Sequence, residues 1–258
     1  MTTSGDGASR SLAPLLTIGL RVSGLLMFAP VFGSAALPMR IKAVLVLVLT
    51  AVLYPALSVR FAAITLTQWP LVVLHELLIG IALGLAANLL FEAMQLAGQV
   101  MSIQMGFSLV SILDPQTQAE STVVALFHQT VAMLVFLAAN VHLALLQVVA
   151  DSFEYLPVAA ARISPAFAAA TLQVGASVFS LGVRIAAPVV AATLVADVVI
   201  GLLGKASPQM PLILLGPAIK SMLGAAILLG VMGHWPDLLQ RCFRDGFVQA
   251  ERLLHLAR

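Results

Sequence analysis

Charge is what this sequence has least of. Only 9% of its 258 residues are Asp, Glu, Lys or Arg, against roughly a quarter in an ordinary soluble domain. A soluble body of this length must cover itself with polar side chains, and 13 basic plus 11 acidic residues cannot do so. A net charge of +2 is too small to suggest a nucleic-acid partner. The single cysteine, Cys242, excludes an internal disulfide framework and a thiolate metal site. Enzyme signatures are missing as well. His75-Glu76 is followed by Leu77, Leu78 and Ile79, so the second histidine of a zinc-protease helix is absent. His128 and His142 have no carboxylate beside them to complete a metal site. There is no Gly-x-Ser-x-Gly elbow and no phosphate-cradling glycine loop. No catalysis, no metal and no cofactor are expected.

What the chain does have is apolar residues, 61% of the total, with a mean hydropathy of +1.06. They fall in six stretches, each about the 17 to 25 residues of a membrane-spanning helix or longer: 12–32, 41–59, 71–91, 123–150, 172–203 and 212–232. The fold class expected is all-α, a polytopic membrane protein of long hydrophobic helices and hairpins. The first stretch is too long for the apolar core of a signal peptide and contains Arg21 and Pro30, so cleavage there is not expected. Pro188 near the middle of the fifth stretch predicts a kink or break. With six crossings, Arg10, Arg60, Arg162, Arg241, Arg244, Arg252 and Arg258 share one side while Arg40, Lys42 and Lys205 share the other. The excess puts both termini in the cytoplasm.

Ionisable residues inside apolar stretches are costly unless paired or wetted. They are Arg21, His75, Glu76, Arg184, Asp197 and Lys220. One reading makes them an ion or proton pathway. The other, favoured because they form no regular ladder, makes them ion pairs that fix helix or subunit packing. Gly80 and Gly84 have the small-xxx-small spacing of closely packed helices, without naming the partner. The C-terminal segment from Trp235 alternates Leu238, Leu239, Phe243, Phe247, Leu253 and Leu254 with Arg241, Arg244, Glu251 and Arg252 at helical spacing. It predicts an amphipathic helix suited to a membrane surface or a partner.

The segment from Glu92 to Ser121 is not a simple span. EAMQLAGQVMSIQM puts Ala93, Leu96, Ala97, Val100, Met101 and Ile103 to Met105 loosely on one helical face, with Glu92, Gln95, Gln99 and Ser102 opposite. Beyond it, Gly106, Phe107, Ser108, Leu109, Val110, Ile112 and Leu113 run into Asp114-Pro115, where the residue before proline leaves the helical region. Irregular backbone at membrane depth is tolerated only inside protein or along a cavity. Residue chemistry alone leaves a re-entrant plug and a short interfacial turn equally open.

Four blocks in order bear a resemblance to a known family. RVSGLLMFAPVFGSAALPMRIKAVLVL contains Arg21, Gly24, Pro30, Pro38 and Arg40. HELLIGIALGLAANLLFEAMQLAGQVMSIQMGFSLVSILDP contains Glu76, Gly80, Gly84, Gly98, Gly106, Asp114 and Pro115. NVHLALLQVVADSFEYLPV contains His142, Ser152, Phe153 and Pro157, and RIAAPVVAATLVADVVIGLLGKASPQMPLILLGPAIKSMLG closes the series. Over nearly the whole chain the sequence resembles the FliR family of the flagellar type III export apparatus, whose injectisome counterparts are the SctT proteins.

The resemblance implies a core subunit of the export gate. It would assemble with FliP and FliQ homologues, meet FlhB and FlhA homologues, and pass unfolded flagellar proteins through the bacterial inner membrane at the flagellar basal body. It further implies a polar tail over 1–10, a FliP-like part over 11–171 with a plug loop at 106–121, a FliQ-like hairpin over 172–234 and an amphipathic helix over 235–258. Gly106 to Asp114-Pro115 are then the plug. Arg21, Pro30, Pro38, Glu76, Gly80, Gly84, Gly98, Arg184, Pro188, Asp197 and Lys220 are expected to serve helix and subunit packing. The family also implies that helices are lifted out of the plane hydropathy gives them. Pro211 and Lys205 depart from the usual family pattern, which bears on the last hairpin. An export-gate subunit of an injectisome is the near alternative, from which the QMGFSLVSILDP block, more flagellar in pattern, points away. A secondary transporter using Arg21, Glu76, Asp197 and Lys220 is the more distant one, against which stands the lack of an internal repeat.

Overall fold

The computed structural model describes residues 4–30, 32–33, 37–57, 67–107, 123–156, 164–207, 209 and 212–256. The stretch from Ser108 to Pro115 within the expected plug, and Pro157 and Pro211, lie outside them. Eight helices run through the described residues: α1 (Ser4–Phe28), α2 (Met39–Leu57), α3 (Trp69–Met105), α4 (Val123–Ala138), α5 (Val141–Tyr155), α6 (Pro165–Ala206), α7 (Leu212–Met232) and α8 (Trp235–Leu256). Among the described residues there is no strand.

Three of these helices, α3, α6 and α7, are long and apolar enough to cross a membrane. The expected count of six crossings is not reached among the described residues. The apolar part of α1, Ala13–Phe28, is shorter, and the stretch 123–150 divides into α4 and α5, which count together as one broken span at most. The break is at Asn140, whose φ of 53° is left-handed. Asparagine tolerates that conformation better than most side chains.

Two helices run further than the hydropathy pattern predicts. Residues 92–105 simply continue α3, because nothing between Phe91 and Met105 lacks a backbone donor or leaves the helical region. With 37 residues at 1.5 Å each, α3 is about 55 Å long, well beyond a hydrocarbon core of roughly 30 Å. Helix α6, 42 residues, passes unbroken through Pro188. Its start is set by Ser164, whose hydroxyl accepts the Phe167 amide proton at 3.0 Å, with Pro165 in the first helical position. The same hydroxyl donates to the Leu256 carbonyl at 2.9 Å and so also ties down the last turn of α8.

The chain divides into two compact units by packing rather than by chain order. Residues Met1–Leu89, Asn140–Ala176 and Phe243–Arg258 make the first. Its core joins Ile18, Val22 and Leu25 of α1 to Ile79 and Leu83 of α3, Phe153 of α5 and Leu253 and Leu254 of α8. Residues Leu90–Ala139 and Ser177–Cys242 make the second. There Phe91 meets Phe136 edge to face at 5.5 Å between centroids, and buried His128 stacks at 4.6 Å on Trp235 at the start of α8. Of the apolar face of α8, expected to suit a membrane surface or a partner, Trp235, Leu239, Phe243, Ala250, Leu253 and Leu254 are buried within the chain itself.

Candidate functional site: a buried ion pair and a helix corner

In the first unit, glycines bring α1 and α3 together. A side chain at Gly80 would collide with the Arg21 carbonyl and the Gly24 Cα, one at Gly24 would stand 2.6 Å from the Leu77 carbonyl, and one at Gly84 would stand 2.6 Å from that of Leu25. Contact at backbone distance is what the small-xxx-small spacing provides, and α1 is the partner it left unnamed. Arg21 lies three residues before Gly24 and Glu76 four before Gly80, so both share the faces that meet at this crossing.

The consequence is a fully buried ion pair. Arg21 Nε donates to Glu76 Oε2 at 2.7 Å, with both side chains at 0% exposure. Arg21 Nη1 donates to Ser152 Oγ at 2.8 Å and Nη2 to the Leu156 carbonyl at 3.2 Å. The guanidinium lies 3.8 Å from the centre of the Phe153 ring, a cation–π contact. Ser152 passes its own proton to the Val149 carbonyl at 2.6 Å. One arginine thus ties α1, α3 and the end of α5 together. The Arg21–Glu76 pairing needed long-range geometry that periodicity does not contain, and the roles of Ser152 and Phe153 were legible only as members of a sequence block.

In the second unit, α3 ends where the sequence places its breaker. The Gly106 amide donates to the Ile103 carbonyl at 3.1 Å and the Phe107 amide to the Ser102 carbonyl at 3.0 Å, with Gly106 at φ +91°. This is a Schellman cap, and the left-handed glycine is what allows it. Phe107 is 41% exposed at the corner. Two residues of the expected amphipathic pattern are reversed: Ser102 is buried and Ile103 is exposed, because the inward stripe runs Ala97, Met101, Met105 and takes in Ser102 beside it.

Asp197 and Lys220 also pair, at 3.0 Å, and Gln104 of α3 donates to the same carboxylate at 3.1 Å. The sequence marked both charged residues but not Gln104. Among the other marked residues, Gly98 abuts the Ala125 backbone. Pro30 is buried, and exposed Pro38 supplies the carbonyl that receives the Ile41 and Lys42 amides at the start of α2. Pro188 is half-buried within α6, and Arg184 is exposed on the same helix.

Apolar helices of spanning length, with Arg21, Glu76, Asp197 and Lys220 paired among themselves, define an all-α polytopic membrane protein. The sequence model of the family described as "Bacterial export proteins, family 1" matches residues 12–246. The chain belongs to that family, to which the FliR proteins correspond. It is 29% identical over 229 residues to the flagellar biosynthetic protein FliR of Escherichia coli (strain K12), covering 88% of this chain and 87% of that relative. It is 29% identical over 223 residues to that of Caulobacter vibrioides (84% and 89%). With that of Bacillus subtilis it shares 28% over 220 residues (84% and 85%).

Proposed function

We propose that this chain is a subunit of the flagellar-type export gate of the bacterial inner membrane. With FliP and FliQ homologues it forms a channel for unfolded flagellar proteins, makes contact with FlhB and FlhA homologues, and catalyses no bond making. The family match over residues 12–246 supports the export role, and relatives named for flagellar biosynthesis favour the flagellum over the injectisome. The observation that carries the reading to a mechanism is the Schellman cap at Gly106, which releases the chain from α3 just before an apolar segment.

In this reading Phe107, Leu109, Val110, Ile112 and Leu113 form an oily constriction, with Gly106 as its hinge and Asp114-Pro115 as its far turn. Dehydrating an ion there is costly, so the constriction blocks small ions. An arriving polypeptide displaces it by offering apolar contacts of its own. The transporter reading has less support, because Arg21 and Glu76 are buried against each other and offer a solute no open face.

The test is ion conductance of the complex purified with its FliP and FliQ homologues. Deleting residues 106–113 is expected to leave the complex assembled and leaking ions across a planar bilayer. Unchanged conductance with intact assembly overturns the plug assignment.

A further inference from the structure

Three helices converge on one carboxylate in the second unit. Asp197, in the C-terminal third of α6, accepts Lys220 Nζ of α7 at 3.0 Å on Oδ1 and 3.3 Å on Oδ2. Its Oδ2 also accepts the side-chain amide of Gln104 from the last turn of α3 at 3.1 Å. Lys220 is largely covered, its side chain 18% exposed, while that of Asp197 is 42% exposed. The helices around them carry Leu194, Val195, Val198, Ile219 and Met222 outward. A charge pair set among such residues has a price in desolvation that a random surface pair does not have.

The neighbours of this carboxylate are in register with it. Pro217 lies three residues before Lys220 and Gly224 four after, so all three share one face of α7. Pro217 stands against Gly106, where an added Cβ would lie 3.2 Å from its Cβ, and Gly224 stands against the Met105 side chain, 2.6 Å by the same measure. The stripe Pro217–Lys220–Gly224 therefore meets the run Gln104–Met105–Gly106. The glycine contacts are close but small and apolar, and they resist sliding little. The carboxylate, taking donors from both sides, supplies the directional constraint.

We infer that Gln104, Asp197 and Lys220 form a positioning clamp that holds the capped end of α3 against the α6–α7 hairpin, and so sets where Phe107 leaves the helix. For its consequence the inference rests on the export-gate reading; its geometry does not. None of the three residues touches the transported chain in this role. A swap of the two charges preserves the clamp, because the Gln104 amide offers a carbonyl to an ammonium as readily as an N–H to a carboxylate.

The experiment uses the complex with its partner subunits, in a Cys242→Ala background. Nitroxide labels go on Ile103→Cys and Met222→Cys, both exposed positions. Pulsed electron resonance is expected to show one narrow distance, broadened by about a helical turn, ~5 Å, in Asp197→Ala. Asp197→Lys with Lys220→Asp is expected to make it narrow again. Ion conductance should rise at least tenfold in Asp197→Ala and fall back in the swapped pair. If Asp197→Ala fails to assemble, Gln104→Ala, which removes only the amide, is expected to give the same broadening. An unchanged distance, a swap that does not restore it, or unchanged conductance while the 106–113 deletion leaks overturns the clamp. If the deletion does not leak while the labels respond as expected, it is the plug reading that falls, and the clamp stands.

Discussion

Arg21 has no solvent contact, and its guanidinium is enclosed by a carboxylate, a hydroxyl, a carbonyl and an aromatic ring. A buried pair of this kind contributes little net stability over an apolar pair of the same volume, yet losing one partner is severe because the other charge is stranded. Glu76 sharpens the case, since its Oε1 is buried without a hydrogen-bond partner among the described residues. Glu76→Ala is expected to destabilise the detergent-purified complex by about 3 to 5 kcal/mol, which is the cost of stranding a buried charge. Arg21→Met combined with Glu76→Leu is expected to cost clearly less than the two single changes added together. Thermal unfolding of the four proteins in a double-mutant cycle measures this. Additive losses would mean that the two side chains act independently. The sequence showed that these charges stood in apolar surroundings. It did not show which would meet, because Arg21 and Glu76 are 55 residues apart.

Glycines at helix crossings separate positions where a side chain is excluded from positions where it is welcome. Gly80 packs on the α1 backbone, whereas Gly175 in α6 has no heavy atom within 4 Å of an added Cβ. Gly80→Ala is expected to push α1 and α3 apart and lower the thermal midpoint of the complex. Gly175→Ala should raise it slightly, because alanine is favoured over glycine in a helix interior by about 0.5 to 1 kcal/mol. Equal effects of the two changes would contradict the close crossing. Helix existence was legible almost everywhere, because 3.6-residue periodicity and long apolar runs are local signals. Helix continuity was less so. The polar residues Glu92, Gln95 and Gln99 suggested that α3 stopped being a span near Phe91, yet polarity alone does not end a helix. Pro188 suggested a kink or break, and α6 runs through it without a break, while Asn140, with no proline or glycine beside it, does divide α4 from α5.

Among the described residues, burial differs sharply between the three helices long and apolar enough to span. Within the apolar window of each, 44% is buried for α3, 28% for α6 and only 11% for α7. A helix so bare as α7 must be covered by lipid or by other subunits, and Met222 and Leu229 are among its uncovered side chains. Expressed alone and extracted in mild detergent, the chain is expected to run as a polydisperse species on size exclusion. Co-expressed with FliP and FliQ homologues, it is expected to elute in one stoichiometric complex. A monodisperse lone chain that leaves those partners in separate fractions would count against the assembly. Hydropathy made the membrane class plain, but among the described residues fewer than six helices have spanning length, because the apolar part of α1 is short and Asn140 divides the stretch 123–150, neither of which an average over apolar residues registers.

The glycine cap on α3 makes rotational phase a design variable. Its bonds are confined to residues 102–107, so the residue at which the helix stops is set by local chemistry, whatever holds that end in place. One residue inserted upstream of Ser102 would turn the departing chain by about 100° around the helix axis, and seven would return it to nearly the same azimuth about 10 Å further along. Length and angle at this exit are thereby coupled, and a lineage can lengthen α3 without re-aiming the exit only in near-heptad steps.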